Sequence, residues 1–130
     1  MSATNKSVRT ESACPAVDEA VALLGNRWSL LVLGALRRNQ PQRYNELQRT
    51  VEGISQRMLT LTLKKLEENG FVKRTLFATI PPRVDYELTP LGQTFVEPIR
   101  ALIEWTLANR EAMAEARLSY RARSSRARSR

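Results

Sequence analysis

A chain of 130 residues with 42% hydrophobic and 26% charged side chains has the composition of one globular domain with short arms, without room for a second independent one. It contains no histidine and a single cysteine, Cys14. That removes imidazole bases, Ser/His/Asp and Cys/His nucleophile pairs, the usual zinc-ligand sets and any internal disulfide, so no catalytic group, metal or cofactor is expected. The net charge of +8 favours a polyanionic partner, yet Arg117, Arg121, Arg123, Arg126, Arg128 and Arg130 supply six of those charges and residues 1–116 carry only +2.

Residues 1–13 are polar and without periodicity, and are read as a flexible arm. They hold no apolar segment of a secretory kind, and no apolar run in the chain approaches the roughly 20 residues of a membrane span. A cytoplasmic protein with no membrane partner is expected. The domain proper is placed at residues 14–118. Pro15 suits a helix start, and Val17, Ala20, Val21 and Leu24 recur at helical spacing up to Gly25. Asn26 can cap a second helix, Arg27 to Arg38, with Trp28, Leu31, Val32, Ala35 and Leu36 as its apolar stripe; Asn39, Gln40 and Pro41 break it.

A short helix follows from Arg43 to about Val51 with Tyr44, Leu47 and Val51 on one face, then a turn at Glu52-Gly53. Ser55 is a good cap for the next helix, Ile54 and Leu59 are spaced as a hydrophobic staple, and Leu59, Leu63 and Leu66 form its buried stripe up to Asn69-Gly70. Two short helices meeting across a Gly-containing turn is helix-turn-helix organisation, although other small helical domains do the same. After Gly70 the period changes to two: Phe71 to Phe77 and Arg83 to Leu88 read as a β-hairpin whose connection carries Pro81 and Pro82. Its position directly after the helix pair makes it a wing. Thr89-Pro90 opens a last long helix that Pro98 should kink or divide, and residues 119–130 read as a disordered Arg-rich tail. The expected fold is mainly α with a small β-hairpin, a winged helix-turn-helix.

With Leu59, Leu63 and Leu66 set inward, a rotation of about 100° per residue turns Arg57, Leu61, Lys64 and Glu68 outward with Thr60 beside them. From Ser55 to Lys65 there are basic residues and no acid. Arg57 matches a guanine edge, Gln56 an adenine edge, and Leu61 or the Thr60 methyl a thymine methyl; Lys64 and Lys65 suit phosphates, as do Arg43 ahead of the helix and Lys73, Arg74 and Arg83 on the wing. The alternatives are that Leu61 packs on another helix, that the lysines are a solvated face and that the hairpin is basic by chance. The tail is either a solubilising end or a phosphate-contacting arm. Cys14, at a helix start, is either a thiol switch or a small packing residue. The apolar stripe from Leu91 to Thr106 exceeds what one small domain covers, which points to a second copy of the chain.

The segments Cys14-Pro15, Leu24-Gly25-Asn26-Arg27-Trp28-Ser29-Leu30-Leu31, Arg43-Tyr44-Asn45-Glu46-Leu47, Gly53-Ile54-Ser55-Gln56-Arg57-Met58-Leu59, Leu66-Glu67-Glu68-Asn69-Gly70-Phe71-Val72 and Pro81 to Gly92 together resemble the HxlR-type transcriptional regulators. The resemblance runs in order from Cys14 to about Trp105, and departs from the family where Asn26 stands for a commoner glycine and beyond Ala116. It implies a sequence-specific regulator that binds double-stranded DNA at an inverted repeat. It also implies a homodimer built from the N- and C-terminal helices, here through Val17, Val21, Phe95, Ile99, Leu102, Ile103 and Thr106. Cys14 occupies the position of a cysteine through which some members respond to oxidants or electrophiles; the sequence names no particular small-molecule effector. A winged-helix module for protein or RNA association is the alternative, with Arg57 as the discriminating residue.

Overall fold

The computed structural model describes residues 14–129, so the arm expected over residues 1–13 lies outside it. The chain divides into two units, one ending at Thr94 and one beginning at Phe95. The elements are α1 (Pro15–Leu24), α2 (Arg27–Arg38), β1 (Gln42–Arg43), α3 (Tyr44–Thr50), α4 (Gln56–Glu68), β2 (Val72–Phe77), β3 (Arg83–Leu88) and α5 (Pro90–Ser129). Helix content with a small sheet is the expected winged-helix architecture.

Local chemistry accounts for the helix starts. The Asn26 side chain accepts from the Trp28 backbone N–H at 2.9 Å, and the Ser55 hydroxyl accepts from the Met58 N–H at 3.1 Å, so each cap satisfies a donor that the first turn leaves unpaired. Helix α4 buries Leu59, Thr62, Leu63 and Leu66. Near-complete burial of each leucine is worth about 1.5–3 kcal/mol, enough for this one face to fix how the helix sits on α2. Helix α2 is rotated slightly from expectation: Leu33 is buried, whereas Leu31 is 40% exposed. Both have apolar neighbours one turn away, so the stripe could be drawn through either. At the end of α4, Gly70 takes φ +79°, a conformation that costs a residue with a Cβ and suits glycine.

Strands β2 and β3 form the hairpin in register Val72↔Leu88 to Phe77↔Arg83, and β1 adds a third strand with Gln42 opposite Tyr86. Two residues are too few to show a period, which is why β1 escapes a sequence reading. It is anchored by a polar side chain. Gln42 is buried, and its amide donates to the carbonyls of Ala35 at 3.0 Å and Asn39 at 2.7 Å, closing the carbonyl end of α2. Gln40 works similarly, its side-chain oxygen accepting from the Leu88 N–H at 2.6 Å.

The sheet leads into α5 through a backbone contact that admits no side chain. A Cβ on Gly92 would lie 2.1 Å from the Phe71 carbonyl oxygen. Thr89 caps the helix as expected, its hydroxyl accepting from the Gly92 N–H at 2.9 Å. One expectation for α5 is narrowed and one is corrected. Pro98 does not divide the helix, and the segment read as a disordered tail is helical to Ser129. A proline removes one intrahelical bond, which neighbouring turns can survive, and arginine and alanine extend a helix that has already been nucleated.

Candidate nucleic-acid interface

The outward face of α4 is assembled as the spacing predicts. Ser55, Gln56, Arg57, Thr60, Leu61, Lys64 and Lys65 are all exposed, and no acid occupies the first turn. Leu61 is 49% exposed, so within the chain it is not packed against another helix. The partial positive charge of the helix start adds to Arg57 at one end of a face that carries Lys64 and Lys65 at the other.

Tyr44, the first residue of α3, was visible in the sequence only as part of an apolar face. Its hydroxyl donates to the Gln56 carbonyl at 2.7 Å and lies 2.9 Å from the Thr60 hydroxyl oxygen. Because the phenolic proton is committed to Gln56, the Thr60 hydroxyl is the donor in the second bond. Two consequences follow. The start of α4 is tied to α3 through one side chain, and the Thr60 proton is committed to Tyr44, which leaves Thr60 its methyl and an acceptor oxygen to present. Tyr44, Gln56, Arg57, Thr60 and Leu61 line one open depression.

The surrounding basic residues fall into two kinds. Lys73 and Arg74 on β2 are exposed and, among the described residues, have no ion pair. Arg83 is partly committed inside the hairpin: its Nε is 3.3 Å from Asp85 Oδ1 and its guanidinium stands 4.2 Å from the centroid of the Phe77 ring. Arg43 is exposed but lies on β1 as the cap residue of α3 and not within that helix, its backbone N–H donating to Glu46 Oε1 at 2.7 Å. A carboxylate three residues on competes for that N–H and sets the helix start one residue later than expected.

Cys14 is exposed at the start of α1 in a left-handed conformation, φ 43°, and makes no capping bond with its side chain. Val17, Val21, Leu102, Ile103 and Thr106 are exposed, Phe95 is half-buried and Ile99 is buried. Among the described residues no group of three or more metal-ligating side chains occurs, and no single helix is long and apolar enough to cross a membrane.

A short helix pair with the second helix's polar face outward, followed by a basic hairpin, is the organisation of a winged helix-turn-helix, and residues 23–114 match the HxlR-like helix-turn-helix family. The chain belongs to that family. It is 38% identical over 96 residues to the HTH-type transcriptional regulator YtfH of Escherichia coli K12, a match covering 74% of this chain and 75% of that protein. Among solved structures, the reduced form of the transcriptional regulator YodB of B. subtilis superposes with a TM-score of 0.64 at 35% identity, covering 72% of this chain and 90% of that one. The redox regulator HypR in its reduced form gives 0.69 at 32% identity, over 77% and 98%. This HxlR-like chain is therefore a transcriptional regulator of winged-helix fold.

Proposed function

We propose that the protein binds double-stranded DNA as a homodimer, reading an inverted-repeat operator with the outward face of α4 in the major groove. The observation that carries this is the Tyr44 clamp, which ties the turn bearing Gln56 and Arg57 to α3 and engages the Thr60 hydroxyl one residue before exposed Leu61. Arg57 can then pair bidentately with guanine and Gln56 with adenine, while Thr60 and Leu61 pack on thymine methyls. Ser55, Lys64, Lys65, Arg43, Lys73 and Arg74 sit where phosphates run past the helix and wing, and Arg83 joins them with the part of its charge that Asp85 leaves free.

Supporting the dimer are apolar side chains left uncovered on each unit. Val17 is 54% and Val21 60% exposed on α1, and Leu102, Ile103, Trp105 and Leu107 are all about half exposed on α5. Burying one protomer's α5 face on its partner's α1 would remove them from water, and an inverted repeat read by two copies of α4 would have half-sites one turn, about 34 Å, apart along the duplex. Phe95 and Thr106 belong at the edge of that contact, and buried Ile99 supports it from beneath. Cys14 serves as an oxidant- or electrophile-responsive thiol, a role supported by its exposure and by the redox regulator among the similar structures. The protein works in the cytoplasm, on DNA and away from membranes.

The test is Arg57→Ala in a competition between an operator duplex and a random one. Loss of about 1–3 kcal/mol of operator binding, with random-duplex binding changed less than about twofold, is expected. Equal losses on both duplexes would contradict base reading by α4.

A further inference from the structure

The family match ends at residue 114, but α5 continues to Ser129, and its last part has a charge pattern of its own. At about 100° per residue, Arg110, Arg117, Arg121 and Arg128 fall within an arc of about 40° and form one line about 27 Å long. All four are exposed and, among the described residues, none has an ion pair. The positions three and four residues to either side of each are Thr106, Leu107, Met113, Ala114, Tyr120, Leu118, Ser124, Ser125 and other arginines, without one acid. The same helix shows the opposite arrangement one segment earlier. Arg100 bonds to Glu97 at 2.8 Å and Glu104 at 2.9 Å, and these carboxylates raise its already high pKa.

An exposed helix gains slightly from each opposite-charge pair at these spacings and loses slightly from like-charge pairs such as Arg117 and Arg121. The line is thus arranged against the helix's own stability. Its residues are arginine throughout, the side chain that grips phosphate bidentately. Opposite the line lie Ala108, Ala112, Glu115, Ser119 and Arg126, which are not the apolar face that a helix lying in a membrane surface requires.

We propose that Arg110, Arg117, Arg121 and Arg128 form a second DNA-contacting surface, which grips the phosphate backbone of the duplex without reading its sequence. The proposal rests on the DNA-binding reading given above and adds phosphate contacts to the base contacts of α4. Docking of the line on a duplex releases condensed counterions, and each phosphate neutralised adds about 0.9 to the slope of log affinity against log salt.

The test uses the full-length protein with an operator duplex, a random duplex of equal length and a single-stranded RNA, each titrated over a range of salt. Arg117→Gln/Arg121→Gln is compared with Arg123→Gln/Arg126→Gln, which removes the same charge off the line; helicity is checked by circular dichroism. The on-line pair should weaken both duplexes by a similar factor, about tenfold or more at low salt, and reduce the slope by about 0.9 for each phosphate no longer neutralised. The off-line pair should do less than half of this. Equal effects of the two pairs, or an unchanged slope, would overturn the proposal, and a loss on RNA alone would reassign the surface to RNA. Failure of base reading would instead appear as an Arg57→Ala protein that keeps its operator preference; wild-type protein that binds neither duplex would sink both.

Discussion

The outward face of α4 and the arginine line of α5 both offer positive charge to a polyanion, and they are constructed by opposite means. In α4 the helix that carries the outward groups is fixed from behind by a Ser55 cap, three buried leucines and the Tyr44 hydroxyl bonded to two points of one turn. In the far part of α5 the four arginines of the line stand on a single helix and, among the described residues, no ion pair holds them. The difference matches what each surface is proposed to contact. A base edge must be met within a fraction of an ångström and a narrow angle, so its reader needs support behind it, whereas a phosphate accepts a charge from many directions.

Several substitutions would break or sharpen that contrast. The largest effect is expected for Gly92→Ala, because the added Cβ would collide with the Phe71 carbonyl at 2.1 Å. Loss of about 3 kcal/mol or more is expected, read as a melting temperature lowered by about 10 °C or more in a thermal melt. Gln42→Ala leaves the Ala35 and Asn39 carbonyls short of a donor and should cost about 1–3 kcal/mol in chemical denaturation. Tyr44→Phe keeps the ring and removes two hydrogen bonds. About 1 kcal/mol of operator binding should be lost while random-duplex binding stays within twofold, whereas a proportional loss on both would show that the clamp does not serve base reading. The smallest effect belongs to Cys14→Ser, which in reducing buffer should leave operator binding within about twofold of wild type and abolish any change on diamide treatment. Wild-type protein whose binding ignores diamide would end the sensor role.

Most of the fold was legible because the signals were short-range. Asn26 and Ser55 as caps, the Leu59, Leu63 and Leu66 stripe, Gly70 as a stop and the alternation around Tyr86 each state a local preference that the tertiary structure keeps. What escaped was long-range or polar. Strand β1 exists because Gln42 is held at the end of α2 and opposite β3, neither of which a two-residue pattern reveals. Tyr44 counted as one more apolar residue, since only the position of Gln56 and Thr60 across the turn makes its hydroxyl useful. Arg83 was legible as a basic wing residue but not as one half-occupied by Asp85 and Phe77. The tail misled for a different reason: low complexity suggested disorder, while arginine and alanine favour a helix once one is running.

Selection of bound duplexes from a random pool tests base reading by a symmetric pair of α4 helices most directly. An enriched inverted repeat with half-sites about one helical turn apart is expected, and Arg57→Ala should relax it at one position in each half. A pool that stays random, or enriches one unpaired half-site, would contradict it.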